Sequence, residues 1–192
     1  SLPCRQTAEM ERMSFYEVDT PAVLAEKEKR LREVGITTPR NVYRVGVDLA
    51  EDWEKTLLEM TPFATEQRTL TALLGVVYYL PRAAMEALLK RLAAITSQGS
   101  SLLFDCPMRD FGTGGDAAGQ QRALAKSAGE TMEQGYTLPE LALMLERHGF
   151  LIYEDMGPRE ITERFYAGYN EGHPESPVLL LPGTALVLAA RH

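Results

Sequence analysis

Cysteine is almost absent from this sequence, which holds only Cys4 and Cys106 among 192 residues. Neither residue is part of a Cys-x-x-Cys pair, so a disulfide-stapled fold is excluded and no metal site is predicted. Long apolar runs are also missing, and none approaches the ~20 residues that a membrane-spanning helix needs. Residues 1–6 contain no hydrophobic signal-peptide core. We therefore predict a cytoplasmic protein without a membrane partner.

Positive charge is in deficit as well. The formal net charge is −7 and the pI is about 5.1, which argues against a nucleic acid partner. The basic run at residues 27–32 is interleaved with glutamates and is typical of a solvated helix face. The sequence has no Gly-x-Ser-x-Gly, His-Glu-x-x-His or P-loop motif, which weakens hydrolase, zinc protease and NTPase interpretations. With 45% apolar residues, the chain is long enough for one folded domain over residues 1–192.

Short β-rich runs alternate with amphipathic stretches through the first half of the chain. This order predicts a doubly wound, mostly parallel α/β sheet with helices on both faces. Thr20, Pro21 and Gly35 delimit the first helix, and Pro81 closes the third strand. The predicted strands are residues 14–19, 41–47, 69–80 and 101–105, and the predicted helices are residues 21–34, 51–60 and 82–96.

The second half of the chain departs from this regular alternation of strands and helices. A Gly-rich loop is predicted at residues 108–119 and a helix at 120–134. Thr137 and Glu140 form a capping-box pattern for a helix that ends near His148. A strand at 150–155, a helix at 160–169 and a last strand at 184–190 follow. Because no long helix connects the last two strands, we expect them to pair as antiparallel neighbours.

Three predicted strands end in an acid, namely Asp19, Asp48 and Asp105. In an open parallel sheet, ligands bind beyond the carboxyl ends of the strands. A carboxylate there can accept hydrogen bonds from ribose hydroxyls or an adenine amino group. The alternative is that each aspartate caps the helix that follows its strand.

The ordered motifs resemble those of the leucine carboxyl methyltransferases, a family that includes tetracenomycin-type polyketide O-methyltransferases. The similar segments are Phe-Tyr-Glu-Val-Asp-Thr-Pro at 15–21, Val-Asp-Leu at 47–49 followed by Trp53, Gly-Val-Val-Tyr-Tyr-Leu at 75–80, Leu-Phe-Asp at 103–105, and Gly-Tyr-Thr-Leu-Pro-Glu-Leu at 135–141 followed by His-Gly-Phe at 148–150.

This resemblance implies a Rossmann-like class I fold with S-adenosylmethionine as cofactor. The implied reaction is methyl transfer to a carboxylate or hydroxyl oxygen of a small, polyketide-like molecule or a protein C-terminus. By the same resemblance, Asp19 holds the ribose, and Asp48 and Leu49 meet the adenine. Leu74 stands where the family often has a glutamate, and it marks a change in the cofactor pocket. No catalytic residue is predicted, since no convincing general base is visible.

The glycine-rich first strand of the family has no counterpart in this sequence. Strands 14–19 and 69–80 must then pair directly, or another chain must fill the gap, because unpaired buried backbone groups cost ~1–3 kcal/mol each. We therefore expect a truncated chain or a strand-sharing homo-oligomer. Two alternatives to the methyltransferase remain: a non-catalytic remnant that serves as a binding or oligomerisation module, and a nucleotide-dependent oxidoreductase that also uses Asp19 for ribose.

Isolated reactive residues have simpler interpretations. Cys106 is predicted to be a small buried filler rather than a nucleophile. His148 is expected at a helix C-terminus, where the dipole favours a cation. A substrate role for His173 is a minor alternative, and the glycines at 112–119 are interpreted as a loop rather than a phosphate cradle.

Overall fold

The computed structural model describes residues 7, 10–109, 135–180 and 183–192. The chain divides into two compact units, Ser1–Ala64 and Thr65–His192. The predicted Gly-rich loop, apart from its first residues, and the predicted helix at 120–134 lie outside the described residues. No helix within the described ranges is both long and apolar enough to cross a membrane.

The N-terminal unit is a β–α–β–α segment. It contains β1 (Phe15–Asp19), α1 (Pro21–Glu33), β2 (Val42–Gly46) and α2 (Trp53–Met60), after a short 3-10 turn at Met10–Arg12. Strands β1 and β2 are parallel, and their register runs from Phe15 opposite Val42 to Asp19 opposite Gly46. Its buried side chains are Leu24, Leu31, Val45, Val47, Trp53 and Leu57.

The two faces of this small sheet differ in chemistry because neighbouring residues of a strand point to opposite sides. On one face, the rings of Tyr16 and Tyr43 stack at 5.4 Å and Phe63 meets Tyr16 edge-on at 5.1 Å. On the other face, the Glu17 carboxylate receives Lys27 at 2.6 Å and Arg44 at 3.2 Å. Helix α1 is therefore fastened to the sheet by a charge-assisted contact as well as by its apolar side.

The second unit is built on a four-stranded sheet. Its elements are β3 (Leu70–Leu73), α3 (Arg82–Ile95), β4 (Ser101–Pro107), α4 (Leu138–Arg147), β5 (Phe150–Met156), α5 (Pro158–Ile161), a π-helical segment (Thr162–Tyr166), α6 (Ala167–Gly172) and β6 (Thr184–Arg191). The strand order is β3-β4-β6-β5, with β3 and β4 parallel and β6 antiparallel to both neighbours.

Burial in this unit follows the alternation that the sequence indicates. The pattern in β4 puts Leu102, Phe104 and Cys106 in the core, and β6 contributes Ala185, Val187 and Ala189. Helix α3 buries five side chains at 3–4 spacing, namely Met85, Leu88, Leu89, Leu92 and Ile95. The predicted antiparallel pairing of the last two strands and the capping box of Thr137 and Glu140 are both confirmed.

The prediction of one long strand over residues 69–80 was wrong beyond Leu73. Gly75 has a positive φ of 72°, and a 3-10 turn follows at Val77–Tyr79. An extended strand has negative φ throughout, so this glycine ends β3 despite the apolar residues on both sides. The direct pairing of strands 14–19 and 69–80 is not observed among the described residues, since β1 and β3 belong to different hydrogen-bonded sheets.

Candidate functional site

Asp19 and Asp48 lie at the same end of the small parallel sheet. Asp19 is the last residue of β1, and Asp48 follows β2 by two positions. The backbone N–H of Val47 donates to the carbonyl of Asp19 at 2.9 Å, which ties the two strand ends together. Both aspartates are exposed. The structure therefore brings these two predicted site residues to one edge, as parallel pairing requires.

Neither aspartate caps the helix that follows it. Thr20 is the N-cap of α1 and accepts a hydrogen bond from the N–H of Val23 at 3.5 Å, and Asp52 is the N-cap residue of α2. The capping alternative for Asp19 and Asp48 therefore does not apply.

Each of these carboxylates uses one oxygen locally. Oδ1 of Asp19 accepts from the N–H of Thr20 at 2.8 Å, and Oδ1 of Asp48 accepts from the N–H of Ala50 at 2.9 Å. The second oxygen of each has no hydrogen-bond partner within the described part of the chain. Two oriented carboxylates with acceptor capacity to spare therefore stand at this edge.

Two apolar residues accompany Asp48. Leu49 is half-buried in the loop between β2 and α2, adjacent to the carboxylate. Trp53, the first residue of α2, is buried in the core of the N-terminal unit. Leu49 thus has surface that a ligand can contact, whereas the side chain of Trp53 belongs to the core and is not accessible.

Asp105, the third acid at a strand end, has a structural partner. Its carboxylate accepts a hydrogen bond from the N–H of Gly75 at 2.6 Å and so holds the turn that ends β3. Leu74, directly before this turn, is 58% exposed. Leu74, which stands where the family often has a glutamate, is therefore on the surface of the second unit, at the carboxyl end of β3.

Tyr78 is a functional candidate that sequence reasoning did not single out. Its hydroxyl donates to Oγ1 of Thr184 at 3.4 Å, where β6 begins beside the end of β4. Burial raises the pKa of Tyr78 to about 12, and the nearby Asp105 carboxylate acts in the same direction. Tyr78 therefore stays protonated at neutral pH. The signal was present in the Tyr-Tyr pair at 78–79, but that pair was assigned to a strand.

Cys106 is fully buried, and burial raises the pKa of its thiol to about 12. Since the thiolate is the reactive form, this position agrees with the predicted filler.

A second missed group surrounds Glu140 at the start of α4. Its Oε2 receives Arg109 at 2.5 Å and Arg82 at 3.5 Å. The N–H of Thr137 donates to the same oxygen at 2.9 Å. Arg109 also donates to the carbonyl of Gly135 at 3.1 Å, and the guanidinium of Arg82 lies 5.0 Å from the centre of the Tyr136 ring. The Thr137 N–H and Arg109 lower the pKa of Glu140 to about 2, so the carboxylate is ionised.

The histidines take peripheral positions. His148 is the C-cap of α4, as predicted. His173 follows α6, stacks on Tyr169 at 4.2 Å and lies 2.9 Å from its carbonyl through Nδ1. No cluster of three or more His, Cys, Asp or Glu side chains suited to a metal ion occurs within the ranges that the structure describes.

The chain is similar in fold to two solved structures that are named as methyltransferases. Mitomycin 7-O-methyltransferase MmcR matches 93% of this chain and 42% of its own, with a TM-score of 0.58 and 14% identity. Human N-acetylserotonin methyltransferase, solved in complex with SAM, matches 93% and 40%, with a TM-score of 0.53 and 14% identity. Identity this low shows the fold alone: the chain has the Rossmann-like α/β fold of class I methyltransferases, as predicted.

The family resemblance is confirmed in sequence. Residues 3–93 match the family described as "Leucine carboxyl methyltransferase". YktD of Bacillus subtilis (strain 168) is 29% identical over 172 residues, which cover 88% of this chain and 56% of YktD. A protein of Mycolicibacterium paratuberculosis (strain ATCC BAA-968 / K-10) is 36% identical over 107 residues, covering 56% and 33%. Both carry provisional names as S-adenosyl-L-methionine-dependent methyltransferases. The chain spans between a third and just over half of these relatives' lengths.

Proposed function

We propose that this chain is part of an S-adenosylmethionine-dependent O-methyltransferase, in which Asp19 and Asp48 hold the adenosyl portion of the cofactor. The observation that carries the proposal is that these two carboxylates lie at the same end of two adjacent parallel strands. Neither acts as a helix cap, and each has an oxygen to spare. The relatives' names support S-adenosylmethionine-dependent methyl transfer without naming the acceptor atom.

The donor set suits an adenosyl group. Asp19 offers a charged acceptor to ribose hydroxyls, and Asp48 offers one to an amino group, while the half-buried Leu49 offers an apolar surface to a base. Leu74, in the second unit, stays a prediction from the sequence as a cofactor-binding residue, with an apolar side chain where the family often has a carboxylate. Bound at Asp19 and Asp48, the cofactor supplies an activated methyl group on a sulfonium.

Two candidate bases in the described part of the second unit are unsuitable. Tyr78 and Cys106 both have pKa values raised to about 12, so both are already protonated at neutral pH and neither takes a proton there. A carboxylate acceptor needs no base, whereas a phenol needs one, and we therefore favour a carboxylate oxygen over a hydroxyl. The residues of the chain then act by positioning the acceptor and excluding water.

A small-molecule acceptor is favoured over a protein C-terminus. Two of the structural neighbours are named for small molecules, mitomycin and N-acetylserotonin. A place in polyketide biosynthesis and a cytoplasmic location remain predictions from the sequence.

Calorimetric titration with S-adenosylhomocysteine tests the proposal. Asp19→Asn keeps an oxygen for the Thr20 N–H but removes the charge. We expect saturable micromolar binding that Asp19→Asn weakens about 10- to 100-fold, since a hydrogen bond to a charged group contributes ~1.5–3 kcal/mol. Glu33→Gln, at an exposed acid on α1, is the matched control and should leave binding unchanged.

The rival functions give different titrations. A non-catalytic remnant of the fold binds no S-adenosylhomocysteine, and that result would remove the enzyme proposal. An oxidoreductase instead binds NAD(H) or NADP(H), and its binding should also depend on Asp19. Asp19→Asn therefore distinguishes a methyltransferase from an oxidoreductase only when the ligand whose binding it weakens is also identified.

A further inference from the structure

Two arginines from different parts of the second unit converge at one place. Arg82 is the first residue of α3, shortly after β3, and Arg109 lies just beyond the end of β4. Because β3 and β4 are parallel, both residues belong to the carboxyl end of the sheet, where ligands of this architecture bind.

The cluster has an excess of positive charge. Glu140 is the carboxylate that both guanidiniums approach, and both reach the same oxygen, Oε2. That oxygen also accepts the Thr137 N–H, so its capacity is filled. Two guanidiniums against one carboxylate leave a net charge of about +1, in a protein whose net charge is −7. One further anion would balance the cluster.

The two arginines are held in place, but only some of their N–H donors are engaged in hydrogen bonds. Arg82 stacks on the buried ring of Tyr136, and its contact with Glu140 is long, at 3.5 Å. Arg109 is fixed by Glu140 and by the carbonyl of Gly135. Their side chains are 47% and 41% exposed, so a solute can reach them. A guanidinium has five N–H donors, which leaves several for a ligand.

We propose that Arg82 and Arg109 form an anion-binding subsite for a carboxylate or phosphate group of the methyl acceptor. This inference rests on the proposed function only in assigning the anion to the acceptor. A guanidinium-paired oxygen is a weak nucleophile, so the paired group anchors the acceptor while another oxygen is methylated. The acceptor class is therefore a molecule with an acidic group beside its methylation site.

NMR of the arginine Nε–Hε signals tests the subsite, with sodium benzoate and inorganic phosphate as separate probes. We expect a saturable shift for at least one probe, weakened about tenfold in Arg82→Gln and in Arg109→Gln. Arg159→Gln is the matched control, because Arg159 pairs with Glu163 on an exposed helix face. The probe that binds more tightly distinguishes a carboxylate subsite from a phosphate subsite.

The outcomes separate the subsite from the methyltransferase proposal. A shift that is absent at tens of millimolar, or that persists in folded Arg82→Gln, would overturn the subsite. The same samples are titrated with S-adenosylhomocysteine. In the unsubstituted protein, absence of probe binding together with intact S-adenosylhomocysteine binding rejects the subsite alone, whereas probe binding without S-adenosylhomocysteine binding rejects the proposed cofactor site alone.

Discussion

The two units present different chemistry at the carboxyl ends of their parallel strands. In the N-terminal unit the edge holds Asp19 and Asp48, each with an oxygen available. In the second unit the acid, Asp105, likewise accepts a backbone N–H with one oxygen, and Arg82 and Arg109 add guanidinium donors. The first edge offers charged acceptors, whereas the second edge offers charged donors as well. Within one architecture, strand ends can thus be adapted to different kinds of ligand.

The units also differ in how their sheets are stabilised. The N-terminal sheet has two strands, and Glu17 with Lys27 and Arg44 fastens a helix to it. The second sheet has four strands, and its central members β4 and β6 are paired on both sides. We therefore expect charge removal to affect the first unit more, and backbone disturbance to affect the second unit more.

The largest expected effect is that of Gly135→Ala in the second unit. Gly135 has a φ of 87°, and an added Cβ would lie 2.7 Å from the carbonyl oxygen of Pro107. That oxygen accepts the N–H of Tyr136, so the backbone cannot yield freely. We expect a loss of about 3 kcal/mol or more in the free energy of unfolding, measured by urea titration followed by circular dichroism.

Gly35→Ala in the N-terminal unit is the control for Gly135→Ala. Gly35 also has a positive φ, 71°, but nothing lies within 4 Å of an added Cβ. Strain alone should therefore apply, at about 1 kcal/mol. Equal losses in the two variants would show that the contact with Pro107 does not matter.

The next effect is expected from Glu17→Gln. The Glu17 side chain is 13% exposed, and removal of its negative charge leaves Lys27 and Arg44 without the anion that they share. Breaking a buried pair in this way costs several kcal/mol, and the partial exposure of Lys27 reduces our expectation to about 2 kcal/mol. The same urea titration measures it.

Glu154→Gln supplies the comparison from the second unit. Glu154 pairs with Arg164 at 2.6 Å, but both side chains are well exposed to solvent. Such pairs contribute about 0.5 kcal/mol. If the two glutamate variants proved equally stable, the charge contact would not distinguish the units.

Hydrogen exchange compares the sheets directly. Phe104 lies in β4 and Val187 in β6, and both strands are paired on both sides. The side chains of these two residues are fully buried. The amides of β1 and β2 belong to strands that each have one partner in the N-terminal sheet. We expect exchange at Phe104 and Val187 to be about tenfold slower or more than at Val18 and Val45. The reverse order would make the N-terminal unit the more stable one.

Local signals explain what could be predicted from the sequence. The capping box of Thr137 and Glu140 spans three residues, and the apolar spacing of α3 is confined to one helix, so both were visible. The acids at the ends of β1 and β2 were predictable because parallel pairing aligns strand ends. The β-rich run at 69–80 was misleading because Gly75 adopts positive φ, which its neighbours do not reveal.

The arginine subsite could not be found from the sequence because it depends on distant contacts. Arg109 and Glu140 are 31 residues apart, and they meet only because residues 135–136 hydrogen-bond to the chain just after β4. Glu140 was correctly predicted as a capping residue, yet its second role as partner of Arg82 and Arg109 has no local pattern. The hydrogen bond from Tyr78 to Thr184 is likewise a product of the fold, since β6 must lie beside β4.

The smallest expected effect concerns the ionisation of Glu140. The Thr137 N–H and Arg109 hold the pKa of Glu140 at about 2, against an ordinary value of 4.5. A lowered folded-state pKa stabilises the protein above pH 4.5, and this stabilisation is lost as pH falls through about 2. We expect Arg109→Gln to raise the pKa of Glu140 more than Arg82→Gln does, because the two nitrogens lie 2.5 Å and 3.5 Å from Oε2. Carbon-detected NMR titration of the Glu140 carboxyl measures both shifts. Equal shifts would mean that the charge of the two arginines, rather than the hydrogen bond from Arg109, sets the pKa of Glu140. The N–H donors of Arg109 would then be available to an anion without competition from the Glu140 carboxylate.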